Sequence, residues 1–274
     1  MAVIFDIQRC SLVDGDGIRT AVFFKGCNLN CKWCHNPEGI SNSPQLLIYK
    51  DRCVGCKRCA DVCENLEKCI LCGKCAELCE GGAREICGKE YSVDELISVI
   101  TKDKPFYDAS GGGVTFSGGE CMLKIDFLEE ALKECRARGI NTAVDTAGNV
   151  PFELFDRIIP YVDTFLYDVK CVSEELHING TGVSNTQILE NLKNLSCRGC
   201  NITVRVPIIG GFNDTDAEIF KIKELLSSLN IKNVELLPYH NMGEHKCDAI
   251  GRPKNGFAPP SKERMDYLRA LFSE

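Results

Sequence analysis

The chain has 274 residues, 44% apolar and 26% charged, an ordinary globular composition with room for one large domain or a large domain with an insert. Its formal net charge of −7 argues against nucleic acid as the main partner, because phosphate binding needs a basic face. No apolar run approaches the roughly 20 residues of a membrane span. The opening MAVIFDIQRC lacks the apolar core of a signal peptide, so a cytoplasmic protein without membrane contact is expected. Nineteen cysteines are the anomaly, and eleven of them fall between Cys27 and Cys79 at tight, regular spacings. With no sign of secretion, that pattern reads as metal ligation rather than disulfides.

In chain order, GIRTAVFFK at 17–25 is a β-branched and aromatic run that predicts a strand. A cysteine loop, CNLNCKWCHNPE, follows at 27–38. Residues 49–88 are cysteine-dense and repeat one unit, CVGCKRCADVC at 53–63 and CILCGKCAELC at 69–79, which marks a small cluster-binding insert. Strand and helix signals then alternate. SVDELISVITKD at 92–103 opens with a capping Ser and has helical spacing, and GGVTFSG at 112–118 is a strand running into a Gly turn. Helices are expected over 124–137, from Pro151, and over 186–196, 214–229 and 261–272. Strands are expected over 140–145, 164–170, 201–209 and 234–239.

These signals make six β/α units. A complete eight-fold barrel takes about 250 residues, and with roughly 40 residues in the insert, six units are what the chain can hold. The predicted fold is α/β, a partial (β/α)6 TIM-like barrel open on one side. It spans 1–48 and 89–274, with the insert at 49–88. In such barrels the chemistry sits at the C-terminal ends of the strands, where the motifs below fall.

Cys27, Cys31 and Cys34 form C-x3-C-x2-C directly after the first predicted strand. Three thiolates can hold three irons of a 4Fe–4S cube and leave the fourth open to a substrate, as a catalytic zinc keeps one position open. A zinc site or three incidental cysteines is the alternative. Trp33 and His35-Asn36-Pro37, in and after the motif, make it less apt.

The run GIRTAVFFKGCNLNCKWCHNPE resembles the cluster loop of the radical S-adenosylmethionine superfamily, and more narrowly that of the glycyl-radical-enzyme activating enzymes. FSGGE (116–120), VDTAG (144–148), YDVK (167–170), VRVPIIGGFND (204–214), LLPYH (236–240) and the tail NMGEHK…PPSKERM are similar to family segments in the same order. The resemblance implies reductive cleavage of S-adenosylmethionine to a 5′-deoxyadenosyl radical, which abstracts hydrogen from a glycine of a partner enzyme. It implies that Gly118, Gly119 and Glu120 receive the cofactor ammonium. Asp145, Thr146 and Asp168 would form a monovalent-cation site, and Lys170 would contact the cofactor. Arg205 would pair with the cofactor carboxylate, and His240 would close the pocket near the ribose. For Lys170, Arg205 and His240 the plain alternative is a solvated strand end.

Each insert repeat reads C-x2-C-x2-C-x3-C, the spacing of a bacterial two-cluster ferredoxin. In that architecture the fourth cysteine of each run serves the other cluster. Cys53, Cys56 and Cys59 would share one 4Fe–4S cluster with Cys79, and Cys69, Cys72 and Cys75 another with Cys63, giving three clusters in all. A zinc site would favour two separated C-x2-C pairs. Glu64 and Glu80 stand where the ferredoxin pattern has proline, and the spacer ENLEK is short. Asp16 in DGDG and Cys121 after GGE also replace residues that are proline in many family members. Cys10, Cys87, Cys121, Cys135, Cys171, Cys197, Cys200 and Cys247 are left over and read as free cysteines, with Cys197-x2-Cys200 a candidate redox pair.

Two other functions compete: a radical S-adenosylmethionine maturase acting on a peptide or small molecule, and an electron carrier. An electron carrier needs no Glu120 or Asp168. The expected partners are a glycyl radical enzyme in a transient complex, with a dehydratase or decarboxylase favoured, and a flavodoxin or ferredoxin as reductant. The chain itself is expected to be a monomer.

Overall fold

The computed structural model describes residues 1–65, 68–254 and 256–273. Leu66 and Glu67, within the short spacer between the repeats, lie outside the described residues. Elements are numbered in chain order. β1 (Ala2–Ser11) runs antiparallel to β2 (Arg19–Phe24). β3 (Gln45–Ile48) and β4 (Arg84–Cys87) form a separate antiparallel ribbon. Between them lie two single-turn helices, α1 (Arg58–Asp61) and α2 (Lys74–Glu77). β5 (Lys89–Tyr91) pairs with β1, and α3 (Val93–Ile100) and α4 (Lys104–Ser110) follow.

The alternating part comprises β6 (Gly113–Gly118), α5 (Ile125–Ala137), β7 (Asn141–Thr146), α6 (Phe152–Ile158) and β8 (Thr164–Asp168). It continues with α7 (Glu174–Thr181), α8 (Thr186–Cys197), β9 (Ile202–Ile208), α9 (Asp216–Ser228) and β10 (Asn233–Pro238). α10 (Glu244–Ala249) and α11 (Lys262–Ser273) complete the chain.

One sheet holds eight strands in the order β10-β9-β8-β7-β6-β2-β1-β5. The six from β2 to β10 are parallel, and each new strand adds beside the previous one. The outer strands β10 and β5 do not pair with each other among the described residues, so the sheet stays open. The six parallel strands are those expected from the sequence. The two antiparallel strands β1 and β5 and the β3–β4 ribbon were not expected.

The pattern follows from burial. All six residues of β2 are buried, as in a parallel strand covered on both faces, which therefore reads as an unbroken apolar run. Phe24, Phe116, Phe165 and Tyr167 from the strands pack with Leu96, Leu128, Phe155, Leu192 and Ile222 from the helices in one core. Each such side chain contributes about 1.5–3 kcal/mol by leaving water. α3 starts with the expected capping box, in which Ser92 and Glu95 bond each other's backbone N–H. A cap of this kind is worth about 1 kcal/mol.

At the opposite end of the strands from the motifs, Arg19 is buried and donates to Thr115 Oγ1 and the Val114 carbonyl, both at 2.7 Å, and to Asn141 Oδ1 at 2.9 Å. Burial pulls its pKa down to about 10. Among the described residues no helix is long and apolar enough to cross a membrane.

Candidate active site

The parallel strands end on one cavity of about 350 Å³, within the size range of small-molecule sites. β6 brings Ser117, Gly118 and, just beyond it, Gly119; β7 brings Asp145 and Thr146; β8 brings Asp168 and, two residues on, Lys170. Arg205 comes from β9, and His240 lies just past β10. Cys27, Cys31 and Cys34 line the same space. Residues from five strand ends and one loop thus converge where a β/α sheet binds its ligands.

The cysteine loop is pinned at both ends. Gly26 N–H donates to the Gly39 carbonyl at 2.7 Å and Cys27 N–H to the Ile40 carbonyl at 3.1 Å, which closes the loop on itself. Asn30 and Lys32 N–H donate to the carbonyls of Thr181 and Gly180 at the end of α7. Trp33 is buried against Phe212 and Phe257, with ring centroids 4.8 and 5.9 Å away. Burial pushes the Cys27 and Cys34 thiols up to about 12 and raises Cys31 as well. Such thiols stay protonated until a metal supplies positive charge. Three soft donors in a pocket of this kind suit iron–sulfur coordination.

Gly118 has φ of 114°, and a Cβ there would meet the Phe24 nitrogen at 2.2 Å. A Cβ on Gly119 would meet the Gly26 carbonyl oxygen at 2.3 Å. Both glycines are thus required for the close approach of β6 to the base of the cysteine loop. The Gly119 and Glu120 N–H groups donate to the Phe24 and Gly26 carbonyls.

Glu120 is fully buried and does not line the cavity. Its oxygens accept the Thr146 hydroxyl at 2.8 and 2.9 Å, the Ala147 N–H at 3.0 Å and the Met122 N–H at 3.2 Å. It lies directly behind Thr146 and Ala147, which do line the cavity.

Lys170 and Arg205 are buried rather than solvated strand ends, whereas His240 is exposed. Lys170 Nζ pairs with Asp168 Oδ2 at 2.6 Å. Burial works to lower its pKa, but Asp168 and the neighbouring thiols hold it above the usual lysine value. Arg205 is 5% exposed and meets Glu235 at 3.0 Å, the Val13 carbonyl at 2.5 Å and Asp145 at 3.6 Å. Asp145 also accepts the Ser117 hydroxyl at 2.7 Å, and burial raises its carboxyl to about 6 against the pull of Arg205. The His240 ring meets His35 edge-on at 4.2 Å, and burial followed by the His240 charge pulls His35 down to about 4.

Asp14 and Ser117 also line the cavity and carry no role in the sequence reading, and His35, which supports the cluster motif there, lines it as well. Asp14 sits in the DGDG loop, whose first aspartate was the available signal.

The two cysteine repeats follow the same backbone course. The equivalent residues Lys57 and Gly73 are left-handed, with φ of 61° and 81°, as are Gly55 and Leu71 at 71° and 56°. Arg58 pairs with Glu80, and Lys74 with Glu64. In each pair, the residue before the third cysteine of one repeat meets the residue after the fourth cysteine of the other. Arg84 of β4 lies against both Cys59 and Cys75, which hold its pKa up against burial.

Among the described residues no three His, Cys, Asp or Glu side chains stand close enough to share a single metal ion. A cubane takes one thiolate per iron, so its ligands stand farther apart than those of a mononuclear site. Of the cysteines outside the repeats and the loop, Cys87, Cys121, Cys135, Cys171 and Cys247 are buried, Cys200 is half-buried, and Cys10 and Cys197 are exposed, all as free thiols.

The radical SAM superfamily model matches residues 21–226, and the sheet and cysteine loop described above lie largely within that span. Among curated relatives, the trans-4-hydroxy-L-proline dehydratase activating enzyme of Clostridioides difficile is 45% identical over a 288-residue alignment, covering 98% of this chain and 95% of the relative. The choline trimethylamine-lyase activating enzyme of Oleidesulfovibrio alaskensis is 39% identical over 270 residues, covering 91% and 87%. Among solved structures, a domain of a pyruvate-formate lyase-activating enzyme from Bacteroides vulgatus gives a TM-score of 0.51 at 30% identity, covering 59% of this chain and 93% of that one. A radical SAM methyltransferase from Sphaerobacter thermophilus, at 14% identity, shares the fold with a TM-score of 0.59 over 100% of this chain and 75% of its own. The chain belongs to the radical SAM superfamily and, within it, to the glycyl-radical-enzyme activating enzymes. It is an enzyme whose chemistry uses an iron–sulfur cluster and S-adenosylmethionine.

Proposed function

We propose that this activating enzyme serves a glycyl-radical dehydratase and carries three 4Fe–4S clusters. The convergence of Cys27, Cys31 and Cys34 with Asp168 and Lys170 on one strand-end cavity carries the reading of the site. The 45% identity to a hydroxyproline dehydratase activating enzyme supports the partner class. When bound, the cluster and S-adenosylmethionine supply a 5′-deoxyadenosyl radical that takes hydrogen from a glycine α-carbon.

The chain's own residues position and shield that chemistry. Cys27, Cys31 and Cys34 hold three irons and leave the fourth open. The backbone at Gly118 and Gly119 borders the cofactor ammonium, and Glu120 holds Thr146 and Ala147 in place from below. Asp145, Thr146 and Asp168 offer oxygen ligands to a monovalent cation. Lys170 and Arg205 place positive charge beside the cofactor carboxylate, and His240 closes the ribose side.

In the insert, a ferredoxin-like unit, Cys53, Cys56, Cys59 and Cys79 hold one further cluster, and Cys69, Cys72, Cys75 and Cys63 the other. The crossed ion pairs support this sharing, because each brings a fourth cysteine beside the opposite repeat. Clusters held by these cysteines would supply an electron-relay function toward a flavodoxin or ferredoxin donor. The enzyme acts as a monomer in a transient complex, whose partner loop enters at the open side of the sheet.

The test is to incubate the reduced enzyme with S-adenosylmethionine and a glycyl-radical dehydratase deuterated at its loop glycine. Deuterium should appear in 5′-deoxyadenosine, together with a glycine-centred EPR doublet. Cofactor cleavage with neither signal, across dehydratases, lyases and decarboxylases, would refute the proposal in favour of a maturase.

A further inference from the structure

α10 ends in a tight turn. The Ile250 N–H donates to the Lys246 and Cys247 carbonyls, Gly251 takes φ of 71°, and the Arg252 N–H donates to the Cys247 carbonyl at 2.9 Å. Glycine adopts this left-handed helix end without strain. The turn directs the Arg252 side chain at the cysteine loop. Nη2 donates to Asn30 Oδ1 at 2.9 Å and to the Cys31 carbonyl at 2.8 Å. Nη1 is buried and has no acceptor among the described residues. A buried donor left unpaired costs about 1–3 kcal/mol, so this atom calls for a partner.

The surroundings identify the chemistry of that partner. The acceptors of Nη2, which include the Asn30 carbonyl at 3.5 Å, are all neutral amide or backbone oxygens, so they leave the guanidinium charge uncancelled. The hydrogen bond to the Cys31 carbonyl holds that charge against the backbone of the cysteine loop. Lys170, the lysine that lines the cavity with these cysteines, is tied to Asp168 at 2.6 Å. An anionic sulfur assembly held by Cys31 and Cys34 would satisfy both the unpaired N–H and the charge.

We propose that Arg252 is a positioning residue for the catalytic cluster: it clamps the Asn30–Cys31 backbone and turns a free N–H and a positive charge toward the Cys31–Cys34 side. The proposal rests on the reading that Cys27, Cys31 and Cys34 ligate that cluster. One-electron reduction adds a negative charge to the cluster, and a nearby cation with a hydrogen bond to sulfur favours the reduced form. Arg252 therefore eases the reduction on which cofactor cleavage depends.

The test is an EPR-monitored redox titration of the cluster-loaded enzyme, following the reduced signal that changes when S-adenosylmethionine is added. That response assigns the signal to the cluster with the open iron. In Arg252→Gln the reduced-to-oxidised ratio at a fixed potential should fall about tenfold, a shift of about 59 mV for one electron. Arg252→Lys, which keeps the charge, should retain most of the ratio. The signals that do not respond to S-adenosylmethionine should stay where they are.

An unchanged potential in Arg252→Gln overturns the proposal, as does a fall in Arg252→Lys as deep as that in Arg252→Gln. Should Arg252→Gln lose this cluster altogether, Arg252→Lys decides: a wild-type potential there supports the proposal and a lowered one refutes it. A wild-type enzyme with no responsive signal would instead sink the ligand reading of Cys27, Cys31 and Cys34.

Discussion

Glu120 accepts the Thr146 hydroxyl through both carboxylate oxygens, at 2.8 and 2.9 Å, and so ties the end of β6 to the end of β7 beneath the cavity floor. Thr146 in turn accepts the Gly148 N–H at 2.9 Å, which fixes the turn that borders the site. This carboxylate therefore shapes the site from below.

Burial outweighs those hydrogen bonds and raises the Glu120 carboxyl to about 7 from an ordinary 4.5. The folded chain then holds more protons than the unfolded chain between those two values. Glu120's contribution to stability is thus full below about 4.5 and is lost as pH rises toward 7. Infrared difference spectra between about pH 6 and pH 8 should contain a protonated-carboxyl band that Glu120→Gln removes. An identical difference spectrum in the variant would show that Glu120 is ionised throughout.

Trp33 is the chain's sole tryptophan and stands between two cysteines of the loop, so its fluorescence reports on the cluster site directly. A Cβ on Gly180 would meet both Trp33 and Phe212 ring atoms at 2.5 Å. Gly180→Ala should displace the indole, shift its emission and cost about 1–3 kcal/mol through overpacking. It should also lower the iron held at Cys27, Cys31 and Cys34, read as a smaller S-adenosylmethionine-responsive EPR signal. Unchanged emission would mean that the loop absorbs the methyl group without moving.

Lys170 and Asp168 form a mostly buried pair, with side chains 10% and 27% exposed. Lys170→Met should cost about 3 kcal/mol, because it strands the Asp168 carboxylate in a poorly solvated cavity. Asp168→Asn in the Lys170→Met background should recover part of that loss, so the double variant falls short of the sum of the singles. Denaturant unfolding under anaerobic conditions measures both. Additive losses would show that the two side chains act independently.

The parts of the fold that were legible in the sequence are those with a physical signature of their own. β2 and β6 through β9 are mostly buried runs because both faces of the parallel sheet are covered there, whereas the edge strand β10 has no buried residue, and Ser92 with Glu95 announces α3. β5 has three residues, too few to show a period, and α10 has six. α7 carries Gly180, a poor helix former, and its sequence EELHINGT has no apolar stripe. β1 alternates only at its start, with Ala2 and Ile4 buried, and the rest of the strand is half-buried or exposed.

The site divides in the same way. The cysteine spacings and strand-end motifs are local, and the cavity collects most of them. Asp14 and Arg252 come from loops with no spacing to read, and only the fold carries Arg252 to Asn30, 222 residues away along the chain. The layering that puts Glu120 behind Thr146 is likewise a property of packing.

The crossed pairs Lys74–Glu64 and Arg58–Glu80 bear on two ligand arrangements in the insert. Both pairs are exposed, so they signal geometry and add little stability. If the fourth cysteines are exchanged, Cys56 and Cys79 serve one cluster while Cys63 serves the other. If each repeat is self-contained, Cys56 and Cys63 belong together. Iron analysis of double variants separates the cases, taking about 12 irons for three clusters and about 4 lost with each. Cys56→Ala should hold about 8. Adding Cys79→Ala should remove no more, because that cluster is already gone, whereas adding Cys63→Ala should bring the content to about 4. The reverse pattern, with the Cys56→Ala/Cys63→Ala chain at about 8 and the Cys56→Ala/Cys79→Ala chain at about 4, would show self-contained repeats and leave the crossed ion pairs without a part in ligation.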